Sequence, residues 1–96
     1  MTVLSDDDVD RWVSDHDDWQ RVGGALTRTI ECATFPEAIE LVRRVGAVAE
    51  ERDHHPDIDI RWRTLRFSLS THSAGGITAK DTELAEVIDQ LASEHR

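Results

Sequence analysis

Pro56 divides two hydrophobic rhythms, and that division limits what the chain can become. Ahead of it, Ala38, Leu41, Val42, Val45, Val48 and Ala49 recur at helical intervals, an apolar stripe wide enough to cover a sheet or meet another helix. Behind it, Ile58, Ile60 and Trp62 alternate with polar residues, as do Leu65, Phe67 and Leu69, which is the period of strands with one buried face. The helix starts where Thr34-Phe35-Pro36-Glu37 combines a capping threonine, a proline in the first turn and a glutamate at the third position. It stops at Pro56, because the residue before a proline is pushed out of the helical region. His55 is therefore expected to be extended, with His54 at or just past the helix end.

The same reasoning orders the rest of the chain. Ser5, followed three residues on by Asp8, caps a short amphipathic helix over about 5 to 16 with Val9, Trp12, Val13 and His16 on one stripe. Trp19 to Val22 and Ala25 to Cys32 are predicted strands flanking Gly23-Gly24, a dipeptide suited to the positive φ values of a hairpin turn. Leu26, Arg28, Ile30 and Cys32 share one face of the second strand, and the arginine interrupts the apolar pattern. Ser73 to Ile77, with Gly75-Gly76, reads as a flexible link. Thr78 then caps a last helix with Asp81 at its third position and Leu84, Ala85, Ile88, Leu91 and Ala92 on its buried face. The order α-β-β-α-β-β-α predicts an α+β fold: a four-stranded antiparallel sheet with three helices packed on one face, in a single domain over 1–96.

Bulk properties remove some classes of function. A net charge of -9 and a pI near 4.8 argue against nucleic-acid partners, since phosphate repels an acidic surface, and Arg43, Arg44, Arg61, Arg63 and Arg66 soften this only slightly. Asp6-Asp7-Asp8 decorates a helix start rather than holding a cation. No apolar run approaches the roughly 18 residues of a membrane span, and Met1 to Asp10 lacks the pattern of a signal peptide. Cys32 is the single cysteine, so no intrachain disulfide forms, which is compatible with a cytoplasmic location.

The chemistry gathers in Asp53-His54-His55-Pro56-Asp57-Ile58 and Ser70-Thr71-His72, which hold three of the five histidines. With Arg63-Thr64 as a two-residue turn, Trp62 faces Leu65, Ile60 faces Phe67 and Ile58 faces Leu69; one step beyond the ladder, His55 falls opposite His72. Metal ligation suits these residues poorly, because adjacent histidines point in different directions and helical ligands usually sit three or four apart. A nucleophile triad suits them less: Cys32 lies far off in sequence, and Ser70 and Ser73 lack an elbow motif. A general acid and base pair fits better, since imidazole gives or takes a proton near neutrality. Glu50 and Asp53, close to His54 at the helix end, either orient an imidazole or bind donor groups, or are solvated helix-end charges.

These residues, from Ala49-Glu50-Glu51-Arg52-Asp53-His54-His55-Pro56-Asp57-Ile58 through Trp62, Leu69-Ser70-Thr71-His72, Gly75-Gly76-Ile77-Thr78 and Asp81 to Leu84-Ala85 and Ile88-Asp89, resemble the pterin-4a-carbinolamine dehydratase family. The likeness runs from about Trp19 to Asp89, nearly the whole chain, and the His-His-Pro followed by Thr-His is specific to that family. It implies a lyase that dehydrates 4a-hydroxy-tetrahydropterin to quinonoid dihydropterin, recycling the cofactor of aromatic amino acid hydroxylases, without metal or organic cofactor of its own. By position, the resemblance makes His54, His55 and His72 the proton-transfer groups. It places Glu50, Asp53, Trp19, Thr71 and Asp81 on the substrate side, with Trp19 stacking on the ring or serving as a core aromatic and Asp81 also explained by capping. Ile30 and Cys32 depart from the aromatics that the family carries in the second strand. Homodimers joined through sheet edges and tetramers paired through central helices are also implied. A second class of function, a non-catalytic protein-binding or assembly module on the same fold, is the alternative, because family members double as dimerisation partners of a transcription factor and related domains act as assembly factors.

Overall fold

The structure, a computed structural model, describes residues 2–94. Its elements follow the order α1 (Asp6–Asp15), β1 (Gln20–Val22), β2 (Ala25–Glu31), α2 (Phe35–Glu51), β3 (Asp57–Arg61), β4 (Thr64–Leu69), a 3-10 turn (His72–Ala74) and α3 (Ala79–Glu94). The four strands form one antiparallel sheet in the order β1-β2-β4-β3, and the three helices cover one face of it, as predicted.

Local chemistry sets the element ends. The Ser5 hydroxyl accepts from the Asp8 N–H at 3.1 Å and the Thr34 hydroxyl from the Glu37 N–H at 3.2 Å, so both helix starts use the caps that the sequence offers. Gly23, at φ 58°, supplies the positive angle of the β1–β2 turn, where Val22 pairs with Ala25. Inside, Leu26, Leu65, Phe67 and Leu69 from the sheet meet Ala38, Leu41, Val45 and Ala49 from α2 and Leu84, Ala85 and Ile88 from α3, all at most 1% exposed. Burying each Leu or Phe side chain contributes roughly 1.5–3 kcal/mol, so this contact between sheet and helices holds α2 and α3 against the central strands.

Arg28, on the inner face of β2, is buried because α3 supplies its counter-charge. Asp89 accepts from the Arg28 guanidinium and, at 2.8 Å, from the Trp19 indole N–H, while Asp18 lies 3.5 Å from Arg28 at the surface. Paired in this way, a guanidinium is tolerated where an unpaired charge would not be.

Three expectations are corrected. The β3–β4 register is Ile60 with Leu65 and Ile58 with Phe67, two residues from the predicted pairing. A shift of two keeps every side chain on its face, so alternation cannot distinguish the two registers. The hairpin turn is Trp62-Arg63, with Trp62 at φ 53° and 70% exposed instead of facing Leu65. Arg63 holds it there: its guanidinium lies 4.7 Å from the Trp62 ring, donates to the Ala33 carbonyl at 3.3 Å and pairs with Glu31 at 3.2 Å. Finally, His72 does not lie across an extended ladder from His55; it opens the 3-10 turn, and the supposed link is tied by the Thr71–Gly76 bridge and the buried Ile77.

Candidate active site

The end of α2 decides where the paired histidines point. Arg52 is the C-cap, and Asp53 follows at φ 50°, in the left-handed region that aspartate enters more readily than most residues. The Asp53 N–H donates to the Glu50 carbonyl at 3.1 Å and the His54 N–H to the Ala49 carbonyl at 3.0 Å, the paired bonds of a Schellman ending. After this reversal His54 is largely buried and His55 is exposed.

His54 is held from a distant part of the chain. Its Nε2 lies 2.6 Å from Oδ1 of Asp81, a fully buried carboxylate in the first turn of α3. The other oxygen of Asp81 accepts from the Thr71 hydroxyl at 2.8 Å and from the Thr78 N–H at 2.9 Å. Because Thr71 spends its proton on Asp81, the Thr78 hydroxyl donates to Thr71 at 2.8 Å and accepts in turn from the Lys80 N–H at 3.3 Å. A carboxylate oxygen accepts, so Nε2 of His54 carries the hydrogen and Nδ1 is the nitrogen left for other partners. Asp81 thus fixes the tautomer of one imidazole and, through Thr71, joins the end of α2 to the turn that begins at His72.

His55 has its own carboxylate, since Nε2 lies 2.7 Å from Oε1 of Glu50 one helical turn back, with both side chains in solvent. His72 and Asp53 are exposed as well. The helix end thus presents His55 at the surface and the turn presents His72, while His54 is anchored on the buried Asp81, which Thr71 links to that turn.

Three candidates from the sequence sit deeper than a substrate contact requires. Trp19 is 1% exposed, with its indole N–H on Asp89 and its ring edge-on to Trp12, so it is a core aromatic with no face open for stacking. Thr71 and Asp81 are buried and bonded to one another, which makes them supports for His54 rather than contacts for a ligand. The His54–Asp81 bond spans 27 residues, beyond the reach of periodicity; its single local trace was the capping position of Asp81. Cys32 lies apart at the end of β2, and burial, with a smaller contribution from the Glu37 charge, pushes its thiol pKa up, away from the thiolate that nucleophilic chemistry needs. Among the described residues no group of three or more His, Cys, Asp or Glu side chains is arranged to hold a metal ion.

Residues 2–91 match the family model described as pterin 4 alpha carbinolamine dehydratase. A protein of Mycolicibacterium smegmatis, provisionally named pterin-4-alpha-carbinolamine dehydratase, is 53% identical over 98% of this chain and 100% of its own length. One of Nocardia farcinica with the same provisional name is 53% identical over 94% of this chain and 95% of its own. Among solved structures, a transcriptional coactivator/pterin dehydratase from Brucella melitensis superposes with a TM-score of 0.91 at 27% identity, over 95% of this chain and 99% of that one. A pterin dehydratase-like protein identified as a RuBisCO assembly factor in the alpha-carboxysome shares the fold alone, with a TM-score of 0.63 at 19% identity over 77% of this chain and 86% of that one. The chain belongs to the pterin 4 alpha carbinolamine dehydratase family.

Proposed function

We propose that the chain dehydrates a 4a-hydroxy-tetrahydropterin to the quinonoid dihydropterin and water by histidine acid and base catalysis, within tetrahydropterin recycling. The observation that carries this reading is the anchoring of His54 by the buried Asp81, which also fixes the turn bearing His72 through Thr71. Chemically, one protonated imidazole gives its proton to the 4a-hydroxyl as the carbon–oxygen bond breaks and water departs. A second, neutral imidazole takes the proton from a ring nitrogen, whose electron pair becomes the new carbon–nitrogen double bond, so no net proton is gained or lost. His54, His55 and His72 supply these groups, Glu50 orients His55, and Asp53 accepts from the donor edge of the pterin.

The test is turnover of chemically generated 4a-hydroxy-tetrahydropterin measured against its slow spontaneous dehydration. Wild type should accelerate it, and His55→Ala and His72→Ala should each lose a factor of about 10² or more; wild-type turnover in both variants refutes the reading.

A second reading has its own observation. Phe35 and Ile39 are 46% and 41% exposed on α2, an apolar patch that a protein surface would cover. Self-association through this helix and the free β3 edge belongs to the dehydratase proposal; a different protein there, combined with absent turnover, would make the chain a binding or assembly module. No helix among the described residues is long and apolar enough to cross a membrane.

A further inference from the structure

A cavity of about 620 Å³ opens between the end of α2 and α3, lined by Arg52, His54, Lys80, Glu83, Glu86 and Val87 among others. Its charges stand out against the rest of the surface. Arg11, Arg21, Arg28, Arg43, Arg44, Arg61 and Arg63 all pair with acidic side chains. Among the described residues, Arg52, Lys80 and Arg66 have no such partner, and the first two line this one cavity. In a chain with 20 acidic and 11 basic residues, two cations that form no ion pair, in a hollow whose lining also holds Glu83 and Glu86, are cations available to a ligand.

The surrounding groups narrow its chemistry. The Thr78 and Lys80 N–H groups at the start of α3 are already taken by Asp81 and by the Thr78 hydroxyl, so positive charge reaches the cavity from side chains. Glu86 accepts from the Trp12 indole N–H at 3.3 Å, whereas Glu83 has no partner among the described residues and is an acceptor suited to hydroxyl groups. His54 is the wall shared with the histidine set, its Nε2 committed to Asp81. A ligand that satisfies all of these carries an anion for Arg52 and Lys80 and a hydroxyl for Glu83, next to whatever reacts at the imidazoles.

We infer that this cavity is a subsite for the substituent of the pterin, and that it selects a hydroxyalkyl phosphate ester over an uncharged substituent. The inference rests on the dehydratase reading for the ring, and on the two unpaired cations for the phosphate. Titration calorimetry with 6-methyl-7,8-dihydropterin and with its analogue bearing a hydroxyalkyl phosphate at the same carbon tests it. Wild type should bind the phosphate ester about tenfold tighter, with the preference shrinking as salt rises. In Arg52→Gln/Lys80→Gln the ratio should fall to about one, while Arg52→Lys/Lys80→Arg should keep most of it. Equal affinities in wild type, or a preference that survives the double glutamine variant, overturns the subsite. Turnover of the 6-methyl 4a-hydroxy compound judges the ring reading separately. If that turnover is absent, inorganic pyrophosphate decides: binding weakened about tenfold by the glutamine pair upholds the anion site, and no binding overturns it.

Discussion

Two histidine–carboxylate pairs sit side by side at the end of α2 with nearly the same geometry, 2.6 Å for His54 and Asp81 and 2.7 Å for His55 and Glu50. Exposure separates them: the side chains are 11% and 0% exposed in the first pair and 57% and 81% in the second. The inner pair belongs to a closed network in which every Asp81 oxygen has a donor, so losing one member strands the others in a medium that cannot solvate them. The outer pair exchanges freely with water and salt, where such contacts are worth about 0–1 kcal/mol. Equal distances therefore describe different jobs: the inner pair holds an imidazole still, and the outer pair presents one to solvent.

The largest expected effect comes from emptying the inner pair. Asp81→Ala leaves the His54 ring N–H, the Thr71 hydroxyl and the Thr78 N–H without their acceptor. A loss of about 3–5 kcal/mol is expected, read as a lower urea midpoint at unchanged slope. A loss below about 1 kcal/mol would place Asp81 in the same class as Glu50 and dissolve the contrast. Next in size is the histidine comparison. His54→Ala should cost about 2–3 kcal/mol through the buried carboxylate it abandons, while His55→Ala should stay within about 0.5 kcal/mol of wild type. Both should lose turnover by a factor of about 10² or more, so stability and activity part company only at His55.

A smaller effect tests the turn that divides the pairs. Asp53→Ala puts alanine at φ 50° and should cost about 1 kcal/mol, whereas Asp53→Gly suits that angle and should stay closer to wild type. An exchange-protected imidazole N–H resonance from His54 should persist in the glycine variant. Its disappearance would show that the Asp53 side chain, rather than the backbone reversal, sends His54 inward.

How far the sequence reveals this arrangement depends on the range of each interaction. The caps at Ser5 and Thr34 and the strand faces of Leu65, Phe67 and Leu69 follow from spacings of two to four residues, and all are found in the structure. The β3–β4 register escapes because a two-residue slip preserves every face, and Trp62 misleads because a large aromatic at positive φ is an unfavourable turn residue held by Arg63 from outside. The histidines are visible as a local excess, but which of them is anchored is not, since Asp81 reaches His54 across the whole second hairpin. Arg52 and Lys80 give no sign in sequence that they share a cavity, because only the packing of α3 beside the end of α2 brings them to it.

The smallest stability effect is the sharpest test of the outer pair. Glu50→Gln keeps the shape of the side chain and removes its charge, and because Glu50 and His55 are both solvated the change should lie within about 0.5 kcal/mol at any salt concentration. Turnover should nevertheless fall several-fold at low salt, because the carboxylate orients the His55 ring through Nε2 and a neutral amide binds it more weakly. Screening weakens the hold of the exposed Glu50 charge on the ring in wild type, so raising the salt should narrow the gap between wild type and variant. Activity that moves without stability is what separates an imidazole presented for chemistry from one held by the core; a Glu50→Gln variant unaffected in both would leave His55 oriented by its backbone alone, and the outer carboxylate idle.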